Sequence, residues 1–204
     1  MKSLYSHYDK TKINDLPRVN FPGRIVVVNG EAEAERAVDY LMRQDIIGLD
    51  TETKPNFKKG GMNAVALLQI SSREVCFLFR LCQMGLPDCL VKLLEDRSQL
   101  KVALSWTDDI HQLHRRRDFM PGRFFELQRY VQAIGIEDLS LQKLYANVFG
   151  EKISKTQQLS NWEAPSLTQA QRLYAATDAW ACIRLYEELK RLQHEGFEII
   201  SEEG

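Results

Sequence analysis

The chain lacks the features that mark secreted, zinc-binding and membrane-spanning proteins. Its four cysteines form no CxxC pair and have no zinc-type spacing with histidine, so they read as small core residues in a reducing compartment. Residues 1–17 are polar and contain no apolar signal-peptide core. No apolar run approaches the length that crosses a bilayer. These absences favour a cytoplasmic protein without a membrane partner.

The chain also lacks an excess of either charge. Lysine and arginine together number 27 against 28 aspartates and glutamates. A protein that wraps long duplexes is usually more basic, so any affinity for nucleic acid is expected to be local, as at a strand end. With 204 residues, 44% of them hydrophobic, the chain has enough material for one domain with a full core.

Hydrophobic periodicity predicts strands in the first half and helices in the second. Residues 1–22 are predicted to form a flexible arm or a leader along the surface, and residues 23–204 a single domain. Strands are expected at 24–28, 46–52, 65–70, 75–79 and 101–104, with a strand-like fragment at 123–126. Helices are expected at 30–43, 86–94, 108–116, 127–134, 139–149 and 167–194. This order predicts an α/β fold with a central mixed sheet flanked by helices.

The first acidic motif is Asp50-Thr51-Glu52, at the end of an apolar strand. Residues two apart on a strand leave the same face, so Asp50 and Glu52 are expected to point together. Open α/β sheets place their sites at the ends of central strands. The alternative is a strand end that simply emerges into solvent.

The second acidic motif is Asp108-Asp109, at the start of a predicted helix. Asp109 shares a helical face with Leu113, four residues on, and is expected to point inward. Asp108 is rotated away from that face and is the better candidate for a helix cap.

The third acidic motif lies on the longest predicted helix, which Thr168 and Gln171 begin as a T-x-x-Q capping box. Steps of three and four residues place Tyr174 and Asp178 in a stripe that continues with alanine and leucine. A carboxylate in an apolar row is neutralised, paired or bound to a cation. Partnering by an arginine or by Tyr174 is the structural alternative for Asp178 alone.

The three motifs together indicate a divalent-metal site. Four inward-facing carboxylates with no matching cluster of bases suit hard cations such as Mg²⁺ or Mn²⁺. A pair of such ions is the usual machinery for cutting phosphodiesters.

These residues resemble the motifs of the DEDD superfamily of 3′–5′ exonucleases, in the tyrosine subclass that includes ribonuclease D and the Werner-syndrome exonuclease domain. The resemblance covers residues 25–189 and includes the strand Val65–Ile70 and the approach Ser160-Asn161-Trp162. It implies a ribonuclease H-like fold in which Asp50, Glu52, Asp109 and Asp178 hold two Mg²⁺ or Mn²⁺ ions.

The resemblance also implies the chemistry. Nucleic acid would be hydrolysed from its 3′ end to nucleoside 5′-monophosphates, with Tyr174 orienting the attacking water. Glu52 and the Thr51 backbone would contact the terminal 3′ hydroxyl. No second nucleic-acid-binding domain follows in this sequence, unlike in larger members of the family. Processivity, oligomeric state and the choice between DNA and RNA stay open.

Several further residues are candidate substrate contacts. Lys58, Lys59 and Lys155 are expected to meet substrate phosphates because they lie near the motifs. Trp162 and Trp106 are candidates for stacking on bases, with core packing as the alternative.

Two other patterns favour structural roles. The run Arg115–Arg117 is expected to form a solvated face. His111 and His114 lie one turn apart, but no third zinc ligand follows them.

Two functional alternatives remain at the level of sequence. The segment Ile47–Thr53 resembles the DxDx[TV] start of haloacid-dehalogenase phosphatases, in which Asp50 would be a covalent nucleophile, although Glu52 stands where that family expects aspartate. The second alternative is a weakly catalytic nucleic-acid-binding module on the exonuclease fold.

Overall fold

A computed structural model describes residues 1–56 and 63–201 of the chain. Its strands are β1 (Lys2–Tyr5), β2 (Arg24–Val28), β3 (Ile46–Thr53), β4 (Val65–Ser71), β5 (Val75–Phe79), β6 (Leu100–Ala103), β7 (Phe124–Glu126) and β8 (Phe197–Ile200). Its α-helices are α1 (Glu31–Leu41), α2 (Leu81–Met84), α3 (Asp88–Glu95), α4 (Trp106–His114), α5 (Leu127–Ala133), α6 (Leu141–Phe149) and α7 (Gln169–Glu195). A 3₁₀ helix spans Lys10–Asp15.

Six strands form the central sheet, in the order β2-β5-β4-β3-β6-β7. β3 pairs antiparallel with β4 and parallel with β6, so the sheet is mixed. β4 and β5 form the predicted antiparallel hairpin, and β2 and β7 pair parallel at the two edges. The predicted α/β class is confirmed. The helix predicted at 86–94 is α3, and the short helix α2, which was not predicted, precedes it and is separated from it by Gly85, Leu86 and Pro87.

Both faces of the sheet are covered by helices. One face packs against α1 and α3, whose apolar residues join β3, β4 and β5 in a core cluster. The other face packs against α5, α6 and α7. Because β3 lies inside the sheet, its acidic end is held between two packed layers.

Helix α7 crosses the sheet over β3 and brings its own acidic residue to that strand. The predicted capping box is present: the Thr168 hydroxyl accepts from the Gln171 N–H and the Gln171 side chain accepts from the Thr168 N–H. A Cβ on Gly48 would lie 2.0 Å from the carbonyl oxygen of Ala179, so α7 touches the β3 backbone directly. Across the described ranges, no helix, including α7, is both long enough and apolar enough to cross a bilayer.

The first 22 residues pack against the rest of the protein. β1 pairs parallel with β8, from Lys2 opposite Phe197 to Tyr5 opposite Ile200. Leu4, Ile13 and Phe21 are buried. The structure therefore has the packed leader rather than the flexible arm, and β8 is an element that the sequence pattern did not predict. The domain boundary at residue 22 remains a prediction.

Candidate active site

Three carboxylates from two elements converge at the end of β3. Asp50 and Glu52 leave the same face of the strand, and Asp178 approaches from α7. One ligand oxygen from each of the three lies within 4.8 Å of the other two. Glu52 is 8% exposed and Asp178 7% exposed, and Asp50 is partly buried. The structure thus brings the acids of the first and third motifs together.

Asp109 lies beside this group. Its Oδ1 accepts a hydrogen bond of 2.5 Å from the hydroxyl of Thr51, the residue between Asp50 and Glu52. This bond connects α4 to β3. Asp109 is not one of the three carboxylates that lie within 4.8 Å of one another. The N-cap of α4 is Ser105 and not Asp108, so that part of the prediction is wrong. Asp108 is exposed and accepts a hydrogen bond of 3.2 Å from the Ser105 hydroxyl.

The electrostatics of the group favour protons or cations. Burial and the nearby Asp178 raise the pKa of Asp50 to about 8. Burial and the three neighbouring acids raise the pKa of Glu52 to about 10. Burial raises the pKa of Asp178 to about 7, and burial with the charge of Asp50 raises that of Asp109 well above its usual range. Across residues 1–56 and 63–201, none of these four acids has an ion-pair partner within salt-bridge distance.

The donor set fits divalent cations. Oδ1 of Asp178 is buried and has no hydrogen-bond partner. Unpaired buried carboxylate oxygens are rare in proteins because losing hydration is costly. Hard cations prefer oxygen ligands. An unpartnered oxygen beside two further carboxylates therefore suits a divalent metal cation.

These pKa shifts predict a metal-dependent stability profile. The folded pKa values of Asp50, Glu52 and Asp178 lie above their unfolded values, so in EDTA stability is highest at low pH. It is expected to fall as the pH rises above about 4, where these acids ionise in the unfolded chain, and the loss is complete once the pH passes their folded pKa values of about 7 to about 10. Millimolar Mg²⁺ or Mn²⁺ should therefore raise the melting temperature more at pH 8.5 than at pH 6. Thermal unfolding with KCl at matched ionic strength is the control, and a metal effect that does not grow with pH would contradict this account.

Tyr174 lies one helical turn before Asp178 and lines the same cleft. Burial and the neighbouring carboxylates, Asp178 above all, raise its pKa above the usual value for tyrosine. The hydroxyl is therefore protonated at neutral pH and able to act as a hydrogen-bond donor. The ring of Trp162 packs 6.0 Å away, centre to centre, and supports the Tyr174 side chain.

A cleft of about 290 Å³ opens over the acids. Lys155 lies at this cleft and its charge lowers the pKa of Asp178, against the larger effect of burial. The cleft also has polar groups that sequence reasoning did not identify, namely Ser140, Gln142, Ser154 and Gln158. They come from the start of α6 and from the segment after it, and no motif marks them.

Gln69 is a positioning residue that the sequence analysis missed. It stands opposite Asp50 in the β3–β4 ladder, is 0% exposed, and its Nε2 donates to Asp50 Oδ2 at 3.0 Å. This bond occupies one carboxylate oxygen of Asp50 and fixes the orientation of the other. The available signal was a single amide in the otherwise apolar strand Val65–Ile70.

The two tryptophans proposed for base stacking are core residues. Trp162 is 0% exposed, and Trp106 is buried with its ring stacked 4.1 Å from that of Phe124. A fully buried ring has no face for a base, so the prediction of Trp162 as a direct substrate contact is corrected to the core-packing alternative. Lys58 and Lys59 lie outside the described residues.

The arginine run and the histidine pair have structural contacts. Arg116 Nε donates to the Val65 carbonyl at 2.7 Å, and Arg117 pairs with Asp88. A nitrogen of His114 lies 3.0 Å from the Phe119 carbonyl oxygen. Among the described residues, the one group of three side chains with metal-ligand geometry is that of Asp50, Glu52 and Asp178.

Comparison with known proteins identifies the family. The model of a 3′–5′ exonuclease family matches residues 25–193. The chain belongs to the 3′–5′ exonuclease family. This membership is of the DEDD type expected from the motifs, and the haloacid-dehalogenase alternative is wrong.

Relatives and solved structures agree with this assignment. The chain is 33% identical over 189 residues to the bifunctional 3′–5′ exonuclease/ATP-dependent helicase WRN of Mus musculus, covering 88% of this chain and 14% of that protein. It is 28% identical over 199 residues to a 3′–5′ exonuclease of Arabidopsis thaliana, covering 90% of this chain and 69% of that one. The EXO domain of Aedes aegypti Nibbler shares the fold, with a TM-score of 0.75, 24% identity and coverage of 86% and 91% of the two chains.

The chain is much shorter than the first of these relatives. It spans 14% of the mouse protein and 23% of the exonuclease 3′–5′ domain-containing protein 2 of Drosophila melanogaster, to which it is 36% identical over 136 residues, or 65% of this chain. Family membership therefore concerns the exonuclease domain.

Proposed function

We propose that this protein is a divalent-metal-dependent 3′–5′ exonuclease that removes nucleoside 5′-monophosphates from the 3′ end of a nucleic acid. The observation that carries the proposal is the convergence of Asp50, Glu52 and Asp178, whose oxygens lie within 4.8 Å of one another without a basic partner in the described part of the chain. Two bound Mg²⁺ or Mn²⁺ ions would supply an activated water and stabilise charge on the leaving oxygen.

Residues of this chain are proposed to bind the metal ions and to orient the substrate. The four carboxylates Asp50, Glu52, Asp109 and Asp178 are the proposed ligands. The Thr51 hydroxyl fixes Asp109 and the Gln69 amide fixes Asp50, so these two ligands are preorganised before substrate arrives. Glu52 and the Thr51 backbone are proposed to contact the terminal 3′ hydroxyl. Lys155, at the cleft, is the described cation placed to meet a substrate phosphate; the same role for Lys58 and Lys59 remains a prediction.

Tyr174 is proposed to position the attacking water. A general base must accept a proton near neutral pH, and a tyrosine whose pKa is raised stays protonated there. Its hydroxyl, beside Asp178, is suited to hold a water by a hydrogen bond.

Two proteins of known structure that resemble this chain support nucleic acid as the polymer class. One relative of known structure, an RNase D of Trypanosoma brucei, is in complex with RNA U12, and the NrnC of Brucella melitensis is bound to pGG. We propose nucleic-acid 3′ ends, DNA or RNA, as the substrate.

A degradation panel tests the proposal. The chain is incubated with 5′-labelled single-stranded DNA, duplex DNA with a recessed end, and RNA, with Mg²⁺, Mn²⁺ or EDTA. We expect a ladder that shortens from the 3′ end and released 5′-monophosphates, in the presence of metal only. Binding without shortening of any substrate would favour the non-catalytic module instead.

Replacing Tyr174 with phenylalanine separates water positioning from metal binding. The change removes one hydroxyl and keeps the ring packed on Trp162. We expect kcat to fall about 10- to 100-fold while Mn²⁺ affinity, measured by calorimetry, stays within about twofold. As a matched control, Tyr8→Phe removes the hydroxyl of a ring that packs edge-on against Tyr5 in the leading segment and should leave kcat unchanged. Wild-type turnover by Tyr174→Phe would remove the proposed role.

A further inference from the structure

A second polar cavity, of about 400 Å³, lies between the end of β5 and the start of α7. Its polar lining comprises Asn29, Arg80, Gln83, Ser166 and Arg172, and no described carboxylate lines it. It shares no lining residue with the cleft over the acids. We call it the Arg80 cavity.

Arg80 is a buried cation without an anion. Its side chain is 1% exposed, and its Nη2 donates to the Ala164 carbonyl and contacts Cys82 Sγ at 3.5 Å. Its Nε is buried and has no hydrogen-bond acceptor. Across residues 1–56 and 63–201, Arg80 has no carboxylate within salt-bridge distance. Burying a guanidinium without a counter-ion is costly, so this arrangement favours an anionic ligand.

Arg172 adds a second cation at an unfavourable position. It lies in the first turn of α7, where its N–H donates to the Thr168 carbonyl at 3.0 Å. The positive end of the helix dipole repels cations there and attracts anions. The side chain is exposed, lines the Arg80 cavity, and makes no ion pair with any residue in the described ranges. Two guanidiniums and a helix N-terminus thus surround one space without a negative charge.

We propose that the Arg80 cavity binds a phosphate group. A guanidinium presents parallel N–H donors that match two phosphate oxygens, and the Arg80 guanidinium, which lines the cavity, has an Nε without an acceptor. Asn29 and Gln83 also line this space, and the Gln83 Nε2 donates to the Pro165 carbonyl at 3.4 Å. The ligand is either a backbone phosphate of a nucleic-acid strand or a free phosphate.

The sheet register places the cavity beside the acids. Glu52 stands opposite Leu67 in β4, and the neighbouring Leu68 stands opposite Phe79, the residue before Arg80. Two strand spacings therefore separate Glu52 from Arg80, or about 10 Å along the same edge of the sheet. A strand whose 3′ end occupies the cleft would need to extend only a short way to reach this cavity. The cavity nevertheless stands as a phosphate site whether or not the chain cleaves nucleic acid.

The variants are chosen so that folding does not limit the test. Arg172→Gln alters an exposed side chain and is the primary variant. Arg80→Lys keeps the charge but removes the unpartnered Nε. Arg97→Gln, at an exposed arginine in the segment before β6, removes the same charge elsewhere and is the control.

Two measurements distinguish the sources of phosphate. In the first, thermal unfolding is compared in sodium phosphate and in sodium chloride at equal ionic strength. In the second, a fluorescent single-stranded oligonucleotide is titrated in EDTA, so that metal-dependent cleavage does not interfere. For a free phosphate, we expect phosphate to raise the melting temperature of wild type and Arg97→Gln by about 2 °C or more, and that of Arg172→Gln much less.

For a backbone phosphate, we expect Arg172→Gln and Arg80→Lys to bind the oligonucleotide about 5- to 10-fold more weakly than Arg97→Gln. For Arg172→Gln, the slope of log Kd against log salt should also be shallower by about 1. An effect in either measurement supports the site and names its source. If Arg172→Gln matches Arg97→Gln in both, the proposal is overturned, even if Arg80→Lys fails to fold. Because neither measurement requires cleavage, this result is independent of the exonuclease assay.

Discussion

Asp178→Asn is expected to lower metal-dependent cleavage by about 10³-fold or more while leaving the protein folded. Asp178 carries a buried, unpartnered Oδ1 in the group formed with Asp50 and Glu52, so the substitution removes the charge of a proposed metal ligand. Metal stabilisation of a phosphoryl transition state contributes several kcal/mol, and each 1.36 kcal/mol corresponds to about tenfold in rate. The measurement is kcat on an end-labelled strand over a range of Mn²⁺ concentrations.

The same substitution should raise stability when metal is absent. Burial raises the pKa of Asp178 to about 7, because the buried site disfavours its charged form. At pH 8 the side chain is nevertheless ionised, and its charge lies close to two other acids. Asparagine removes that charge and can donate to the neighbouring carboxylates. We expect the melting temperature in EDTA to rise by about 2–4 °C, equivalent to about 1 kcal/mol for a chain of this size. In Mg²⁺ the order should reverse, because wild type binds the ion.

Asp108→Asn is the matched control for this prediction. Asp108 is exposed and adjacent to the proposed ligand Asp109, so its replacement removes the same charge close to the site without removing a ligand. Its activity should stay within about threefold of wild type. Full activity of Asp178→Asn, or equal losses in both variants, would show that Asp178 does not hold a catalytic metal.

The parts of the site that the sequence predicted depend on local periodicity. A strand repeats every two residues and a helix every 3.6, so the shared faces of Asp50 with Glu52 and of Tyr174 with Asp178 could be read from spacing alone. The capping box at Thr168 fixed the start of α7 in the same way. The resemblance of the three separated motifs to those of one family then indicated that they form a single site.

The parts that the sequence did not predict depend on pairings between distant segments. Gln69 acts on Asp50 only because β3 and β4 pair in one particular register. β8 forms through its pairing with β1, at the other end of the chain. Trp162 has an aromatic ring that could stack on a base, but in the structure it packs against α7 and the sheet as a core residue. Arg80 directly follows a buried strand and belongs to no recognisable motif. Its burial without a counter-ion can therefore be seen only in the folded structure.

Gly48→Ala is expected to damage both stability and activity, although it adds a single methyl group and changes none of the proposed metal ligands. The added Cβ would lie 2.0 Å from the Ala179 carbonyl oxygen and 2.9 Å from a side-chain carbon of Ile183. Both residues belong to α7, so the helix has to move away from β3. Overpacking of this kind costs about 1–3 kcal/mol or more, which corresponds to a fall in melting temperature of several degrees.

The loss of activity follows from the same displacement. β3 carries Asp50 and Glu52, and α7 carries Tyr174 and Asp178, so the Gly48 contact sets the distance between the two halves of the site. A displacement of about 1 Å can cost about 10²-fold in rate. We therefore expect kcat to fall about 10²-fold and the affinity for Mn²⁺ to weaken, at a temperature where circular dichroism shows the variant to be folded.

Gly30→Ala is the control, because a Cβ at Gly30 meets no atom within 4 Å. This position is the N-cap of α1, so the change should cost less than about 1 kcal/mol and leave kcat unaffected. If Gly48→Ala is destabilised but retains wild-type metal affinity and turnover when folded, the direct α7–β3 contact serves stability alone. The site would then owe its spacing to other contacts, such as the Thr51–Asp109 hydrogen bond.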